Sequence, residues 1–182
     1  MGPTEIVPAE RETETSGTGP SRRPLLDASP SELRDWMVGL GHPGYRARQV
    51  LDWVIRRRAE SFDQMSDIPK RLRQSLANEW AVYGTRVAYH GVAPDGTDKL
   101  ILECRDGRRI ECVLMAEADR RTLCISTQVG CGMGCVFCAS GLKGVERNLT
   151  SGEILEQVLQ LKNLLPEGES LTNIVVMGMG ES

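Results

Sequence analysis

Three cysteines of this 182-residue chain fall within eight consecutive residues, in the segment Cys131-Gly-Met-Gly-Cys135-Val-Phe-Cys138. Cysteine thiolates are the usual ligands of iron–sulfur clusters, which normally have four of them. A loop with three thiolates can therefore hold three irons of a 4Fe–4S cluster and leave the fourth iron open to a small molecule. Such an arrangement suits catalysis better than simple electron transfer.

Two other interpretations of this loop stay open. A structural zinc site needs four ligands, commonly arranged as two knuckles. This segment has one Cys-X-X-Cys pair, between Cys135 and Cys138, and would need Cys124 as its fourth ligand. Alternatively, the cysteines are buried thiols that bind nothing, but three in eight residues are improbable as chance core residues. The spacing therefore favours the cluster.

The composition is that of a soluble globular protein, with 40% hydrophobic and 26% charged residues. No uncharged apolar stretch approaches the roughly 18 residues that a membrane span needs, which excludes a transmembrane protein. The N-terminal residues do not have the basic segment and apolar core of a secretory signal. We therefore expect a cytoplasmic protein with reduced cysteines, including Cys104 and Cys112, and no membrane partner.

The charge is distributed unevenly along the chain. Residues 1–20 hold four glutamates against Arg11, and few residues in this stretch are apolar, which predicts a disordered acidic tail over residues 1–22. Residues 21–80 hold eleven basic and eight acidic side chains. This mildly basic balance permits a nucleic-acid partner but does not require one.

A helical domain with three helices is predicted over residues 23–83. The sequence Ser29-Pro30-Ser31-Glu32 is typical of a capping box before the first helix. Apolar stripes at helical spacing predict a second helix from about Gly44 to Ala59 and a third that opens at Ile68-Pro69 and carries Trp80. The second helix has a basic face, which is either solvated or in contact with an RNA backbone. Its members are Arg46, Arg48, Arg56, Arg57 and Arg58.

After the helical segment, the spacing of apolar residues changes from that of a helix to that of a β-strand. Residues 84–116 are predicted to form a β-hairpin connector, with strands 99–104 and 109–115 joined by a turn at Asp106-Gly107. Residues 117–182 are typical of one βαβ unit. Its parts are a strand over 122–127, the cysteine loop over 128–148, a helix capped by Thr150 and Glu153, and a buried strand over 171–177. The fold class is α/β, and two parallel strands alone would make a poor sheet.

The cysteine spacing, with Phe137 before the last cysteine and a strand before the loop, resembles the radical S-adenosylmethionine superfamily. The segments RRTLCISTQVGCGMGCVFCASGLKGVERNLTSGEI and TNIVVMGMGES resemble the RlmN family of dual-specificity RNA methyltransferases. That family acts on C2 of an adenine in 23S rRNA and in tRNA. The helical segment resembles the family's RNA-binding domain, and the resemblance covers about residues 24–182.

The resemblance implies two cofactors and the residues that bind them. Cys131, Cys135 and Cys138 would ligate a 4Fe–4S cluster, and Gly180 with Glu181 would hold the amino group of S-adenosylmethionine. An electron donor such as a flavodoxin would reduce the cluster, and a 5′-deoxyadenosyl radical would follow. Radical chemistry is needed because adenine C2 is not nucleophilic, and it is the cofactors that supply it.

Two residues outside the loop match catalytic positions of the family. Glu111 matches a glutamate proposed as the proton acceptor, and Glu117 is a weaker candidate nearby. Cys124 matches a cysteine seven residues before the loop that pairs transiently with a methyl-carrying cysteine. The residues alone favour a structural interpretation of both, with Glu111 a polar position on a strand and Cys124 a small core residue.

The resemblance ends at Ser182, where the family has proline and continues through further βα units to the methyl-carrying cysteine. We therefore expect a small helical domain and a hairpin followed by the start of a partial (β/α) barrel, truncated after its second strand. The chain alone is then expected not to transfer methyl groups. The alternatives are a non-catalytic remnant that binds only a cluster or RNA, and a relative that methylates C8.

Overall fold

A computed structural model of the chain describes residues 22–180. The predicted acidic tail, apart from Arg22, and Glu181 of the predicted cofactor site lie outside the described residues. The helices are α1 (Pro30–Gly39), α2 (Tyr45–Ile55), α3 (Lys70–Glu79) and α4 (Ser151–Leu164). The strands are β1 (Arg23–Pro24), β2 (Trp80–Ala81), β3 (Arg86–Val92), β4 (Asp98–Glu103), β5 (Arg109–Glu117), β6 (Arg120–Cys124), β7 (Gln128–Gly130), β8 (Val145–Asn148) and β9 (Asn173–Val175).

Helix α1 begins as the sequence predicts, with half of the expected capping box. The Ser29 hydroxyl accepts a hydrogen bond from the Glu32 main-chain nitrogen at 3.1 Å, and Pro30 occupies the first helical position. The Glu32 carboxylate pairs with Arg23. An ion pair with the neighbouring segment therefore takes the place of the reciprocal bond to the cap.

Two predicted helix ends are wrong by several residues. Helix α2 ends at Ile55 because Arg58 has a positive φ of 59° and the chain turns back, so that the Ala59 nitrogen bonds the Trp53 oxygen. Helix α3 ends at Glu79, and Trp80 belongs to β2, which pairs in parallel with β1. The Trp80 ring is fully buried and meets Trp36 edge-on at 5.8 Å, so tertiary packing decides its conformation.

The predicted hairpin is confirmed as β4 and β5, but it is part of a larger sheet. The five strands lie in the order β3-β4-β5-β6-β9, antiparallel except for the parallel pair β6–β9. The expectation of a poor two-stranded sheet is therefore wrong, since the hairpin and the βαβ strands share one sheet. Strand β3 was missed because most of its residues are exposed or half-exposed, which leaves no clear apolar alternation.

Helix α4 covers one face of this sheet. Its capping box forms in full, since Thr150 accepts from the Glu153 nitrogen and Glu153 accepts from the Thr150 nitrogen. The predicted buried strand over 171–177 is shorter and more exposed, spanning Asn173–Val175 with Ile174 half-exposed. The sheet residues packed beneath α4 are Leu100, Leu102, Ile110, Cys112, Leu114, Leu123 and Ile125.

The helical segment and the sheet meet through α4. The buried Glu156 carboxylate accepts hydrogen bonds from the Gly84 and Thr85 main-chain nitrogens, each at 2.7 Å. Leu159 of α4 belongs to the core of the helical segment, whereas Leu161 belongs to the core beneath the sheet. Helix α4 is therefore apolar on two sides. In the described part of the chain, no helix is long and apolar enough to cross a membrane.

Candidate active site at the cysteine loop

The cysteine loop leaves the carboxyl end of β6, beside the carboxyl end of the parallel strand β9. The chain after β9 continues alongside the chain after β6, because the Gly178 nitrogen bonds the Ile125 oxygen at 3.0 Å and the Thr127 nitrogen bonds the Met179 oxygen at 2.9 Å. In parallel sheets, ligands bind in the crevice at the carboxyl ends of the strands. The predicted cofactor residue Gly180 is therefore brought to the start of the cysteine loop.

Gly180 fits this position because it has no side chain. Its φ is +106°, and a Cβ built on it would lie 2.7 Å from the Thr127 hydroxyl oxygen and 2.9 Å from Cβ of Gln128. Real Cβ atoms do not approach other atoms so closely, so a larger residue would push the segment away. The Thr127 hydroxyl is buried and has no hydrogen-bond partner among the described residues.

A buried serine and glutamine hold the junction together. The Ser126 hydroxyl donates to the Glu111 main-chain oxygen at 2.7 Å and accepts from the Met179 nitrogen at 2.8 Å. Gln157 of α4 bonds both main-chain groups of Ser126, at 2.8 and 3.0 Å. Strand β5, the end of β6 and the segment after β9 therefore converge on one residue.

The predicted loop over 128–148 contains structure that the sequence did not reveal. Strands β7 and β8 form its two arms and pair antiparallel, with Val129 opposite Arg147. The Cys131 nitrogen bonds the Gly144 oxygen at 3.2 Å, which closes the loop at its base. A 3-10 turn over Ala139–Gly141 follows the last cysteine.

The three loop thiols differ in exposure. Cys135 is exposed, whereas Cys131 and Cys138 are half-exposed. Hydrogen bonds from the Ser140 main chain and hydroxyl lower the pKa of the Cys138 thiol below its ordinary value. Thiolates are the form that binds metals, so this environment suits a metal ligand.

Within residues 22–180, no three Cys, His, Asp or Glu side chains are gathered closely enough to hold a single metal ion. Each cysteine of a 4Fe–4S cluster binds a different iron, so the ligands of a cluster stand farther apart than the ligands of one ion. The donor set of three cysteines on an exposed loop therefore fits a cluster in type and number. The ligand assignment stays a prediction from the sequence.

The two predicted catalytic residues share the half-exposed face of the sheet, opposite α4. Cys124 pairs with Val113 in the β5–β6 register, and side chains two residues apart on a strand point to the same face. Glu111 therefore lies diagonally from Cys124, at a spacing of about 7–8 Å between such positions. Glu111 forms an ion pair with Lys99 at 3.0 Å. Glu117, the weaker candidate, lies at the far end of β5, opposite Arg120.

The other cysteines lie in different surroundings. Burial raises the pKa of Cys104 and of Cys112 to about 12. The pKa of Cys124 is also raised by burial, although a hydrogen bond from the Met177 main chain opposes the shift. Cys104 and Cys112 are buried core residues, and Cys124 is the most accessible of the three.

The predicted basic helix face does not exist as one face. Only Arg46 and Arg48 lie within α2, whereas Arg56, Arg57 and Arg58 follow its last residue. Arg58 turns toward α4 and donates to the main-chain oxygens of Leu165 and Glu169. Arg57 stacks on Trp53 and pairs with Asp67, Arg56 pairs with Asp52, and Arg46 bonds Gln49 and the Asp67 oxygen.

Arg48 has a different setting from the other arginines. It lines a groove of about 450 Å³ between α1 and α2, together with Arg34 and Ser31. The floor of the groove is apolar and includes Leu51 and Ala47. Of its two guanidiniums, that of Arg34 pairs with Asp35 at 2.9 Å, and Asp52 also lines the groove.

Residues 24–82 match the ribosomal RNA large subunit methyltransferase N-terminal domain. The chain is 46% identical over 181 residues to a probable dual-specificity RNA methyltransferase RlmN of Rhodopirellula baltica, covering all of this chain and 49% of that protein. It is 51% identical over 152 residues to the dual-specificity RNA methyltransferase RlmN of Desulfosudis oleivorans, covering 83% of this chain and 41% of that one.

A solved structure agrees with these matches. The crystal structure of a radical SAM methyltransferase from Sphaerobacter thermophilus superposes with a TM-score of 0.81 at 43% identity, covering 87% of this chain and 47% of that one. The chain thus spans about half the length of the relatives it matches. The chain is therefore similar, over about half of their length, to proteins named dual-specificity RNA methyltransferase RlmN.

Proposed function

We propose that this chain supplies the RNA-binding domain, the cluster loop and part of the S-adenosylmethionine site of an enzyme that methylates C2 of an adenine in 23S rRNA and tRNA. One observation carries the proposal. The cysteine loop and Gly180 lie together at the carboxyl ends of two parallel strands, on the sheet whose half-exposed face carries Glu111 and Cys124.

Each cofactor would have its own residues. Cys131, Cys135 and Cys138 would hold the cluster, and Gly180 with Glu181 would receive the ammonium group of S-adenosylmethionine, which needs oxygen acceptors. When bound and reduced by a donor such as a flavodoxin in the cytoplasm, the two cofactors supply the radical chemistry that adenine C2 requires. The close packing of Gly180 on Thr127 supports this position for the methionyl end.

Glu111 and Cys124 would act from the same face of the sheet. The Glu111 carboxylate would accept the proton that leaves the adenine ring, with Lys99 holding the carboxylate in position. The half-exposed Cys124 thiolate would form a disulfide with the methyl-carrying cysteine as the bond between that sulfur and the carbon joined to adenine breaks, and the electron pair of that bond would pass to the adenine. A disulfide needs the two Cα atoms within about 7 Å, so the partner cysteine must reach this face of the sheet.

The RNA partner would contact the helical domain. The match of residues 24–82 to a ribosomal RNA methyltransferase domain supports this partner. The groove between α1 and α2 offers the Arg48 guanidinium for a phosphate group. C2 is favoured over C8 because the relatives carry the RlmN name.

The ligand assignment can be tested with this chain. Anaerobic reconstitution with iron and sulfide should give roughly four irons per chain and an iron–sulfur chromophore. Cys138→Ala should abolish both signals. Cys104→Ala is the matched control and should retain them, because Cys104 is buried in the sheet core. Stoichiometric zinc without sulfide would contradict the proposal.

The reaction itself is tested by methyl transfer to unmodified 23S rRNA and tRNA under anaerobic, reducing conditions. The assay uses this sequence extended over the full length of its relatives. Methylation at C2, identified by mass spectrometry of the nucleosides, is expected. Methylation at C8 would favour the alternative relative, and no methylated adenine in either RNA would contradict the proposed function.

A further inference from the structure

The return arm of the cysteine loop, strand β8, contributes little to the hydrophobic core. Its sequence is Val145-Glu146-Arg147-Asn148, and its apolar side chain, Val145, is 45% exposed. Apolar burial therefore does not explain why this arm lies where it does. The arm pairs with β7 through a short and irregular register, with one side-chain hydrogen bond from Gln128 to Asn148. The side chains of Glu146 and Arg147 attach it to other elements.

Arg147 bonds two separate elements at once. Its Nε lies 2.6 Å from Oδ2 of Asp106, at the turn between β4 and β5. Its Nη1 and Nη2 lie 2.7 and 2.8 Å from the two carboxylate oxygens of Glu153, in the capping box of α4. The Arg147 and Glu153 side chains are 28% and 12% exposed, so this two-pronged pair is shielded from solvent and stronger than a surface pair.

A second ion pair crosses between the same two segments. Arg108, at the hairpin turn, donates to Glu146 of β8 at 2.7 Å. The hairpin turn thus presents Asp106 and Arg108 to the opposite charges of Arg147 and Glu146. We call these four residues and Glu153 the clip.

We propose that Arg147 is a positioning residue for the cysteine loop, which holds the return arm of the loop against the hairpin turn and the start of α4. The inference rests on the proposed function in one respect, namely that the loop binds a cluster. By fixing the strand that follows Cys138 and Gly144, the clip sets the spacing of the loop's two ends. A cluster held by Cys131, Cys135 and Cys138 would then be lost more slowly, because the two ends of the loop separate less often.

The chemistry of the clip requires arginine at this position. A guanidinium presents a planar fork that meets both oxygens of Glu153 and still reaches Asp106. The ammonium group of lysine keeps the charge but cannot make this set of bonds at once. Methionine removes the charge and leaves two partly buried carboxylates facing each other.

The test uses the full chain, first without a cluster. Hydrogen exchange is measured at the Cys131 and Leu149 amides, which bond the Gly144 and Thr127 oxygens across the two arms. Arg147→Met should raise both exchange rates by about tenfold or more, because local opening becomes easier. Arg147→Lys should give a smaller increase, and Asp106→Asn, which keeps the turn, should give an intermediate one.

The second readout is cluster retention after anaerobic reconstitution. Arg147→Met should lose iron to a chelator about tenfold faster than the unchanged chain, with Arg147→Lys between them. Arg121→Met is the matched control, because Arg121 is also a partly exposed arginine in an ion pair, with Glu169, but lies at the amino end of β6. It should change neither readout.

The outcomes separate the two proposals. If the unchanged chain takes up no cluster, the proposed function fails, and the exchange rates still decide the role of Arg147. The positioning role of Arg147 would be overturned if Arg147→Met left the exchange rates of the Cys131 and Leu149 amides unchanged. It would also be overturned if Arg121→Met raised these rates as much as Arg147→Met does. Iron loss that is equal in the Arg147→Met and unchanged chains would overturn it as well.

Discussion

Gln157 of α4 bonds both main-chain groups of Ser126: its amide oxygen accepts from the Ser126 nitrogen at 2.8 Å, and its amide nitrogen donates to the Ser126 oxygen at 3.0 Å. Both residues are fully buried. Ser126 has left strand β6, so the strand ladder does not bond these two groups. A single glutamine on the covering helix therefore fixes the point from which the cysteine loop departs.

We predict that Gln157→Leu lowers the free energy of unfolding by about 2–5 kcal/mol, because it leaves two buried main-chain groups of Ser126 without partners. Urea denaturation measures the change. Gln160→Leu is the control on the same helix, since Gln160 bonds one hydroxyl, that of Thr85. Its cost should be about 1 kcal/mol, and equal costs for the two variants would contradict this account.

Local signals were sufficient to predict several elements of the fold. The Thr150 and Glu153 capping box and the Asp106-Gly107 turn depend on short spacing rules. The parallel pairing of β6 with β9 follows from the strand–helix–strand order of the segment. The buried polar residues of α4 were not predicted, because helical periodicity indicates one apolar face. Helix α4 is packed on two sides, so Glu156 and Gln157 look like solvent-facing residues in the sequence and are buried in the structure.

The residues of the candidate site were predicted in part. The cysteines and Gly180 were found from spacing and resemblance, and the βαβ connection places them at the same end of the sheet. The arginines could not be assigned from the sequence, because their roles depend on partners far along the chain. Arg58 bonds the main chain more than one hundred residues away, and Arg147 bonds Asp106 across the cysteine loop.

The contact between the helical segment and α4 should depend on pH through Glu156. Burial raises the pKa of this carboxyl above its ordinary value of 4.5, although hydrogen bonds from Gly84 and Thr85 oppose the shift. A raised folded-state pKa means that the folded chain holds the proton more tightly than the unfolded chain. The stabilising contribution is therefore complete below the unfolded-state pKa and is lost as pH rises through the folded-state pKa.

We predict that Glu156→Gln flattens this part of the stability profile, because the amide does not titrate. It should also lower stability at every pH, because the amide keeps one of the two oxygens that accept from the Gly84 and Thr85 nitrogens. Urea unfolding between pH 4.5 and neutrality measures it. Glu153 has a lowered pKa, with Arg147 the main group that opposes burial. The stabilising contribution of Glu153 is present above its unfolded-state pKa and is lost as pH falls. Glu153→Gln should therefore change the stability profile on its acid side. A Glu156→Gln profile parallel to that of the unchanged chain would be inconsistent with this assignment.

Alanine substitutions at Gly180 and Gly168 separate the cost of a positive φ from the cost of steric crowding around the added Cβ. Both have positive φ, of +106° and +89°, but a Cβ on Gly168 would have nothing within 4 Å. Gly168→Ala should therefore cost about 1 kcal/mol from the backbone alone. Gly180→Ala should cost more, because the added Cβ would collide with Thr127 and Gln128, and it should weaken S-adenosylmethionine binding by the reconstituted chain. Calorimetry measures the loss of stability, and equilibrium binding measures the affinity for S-adenosylmethionine. Equal stability losses in the two variants would show that Gly180 is not packed closely against Thr127.

Arg48 and Arg58 should differ in their effects on RNA binding. Arg48 borders the open groove between α1 and α2, whereas Arg58 is committed to the main-chain oxygens of Leu165 and Glu169. Arg48→Glu should weaken binding of an unmodified tRNA transcript and reduce the slope of log affinity against log salt by about 1, because one fewer phosphate contact releases its counterion. Arg58→Met should leave that slope unchanged and lower the free energy of unfolding by about 1–2 kcal/mol, because two hydrogen bonds to α4 and its following loop are lost. Filter binding across a salt series, with urea denaturation of the same variants, compares the two arginines. A salt slope that falls for Arg58→Met and not for Arg48→Glu would place the RNA on the other side of α2, next to α4.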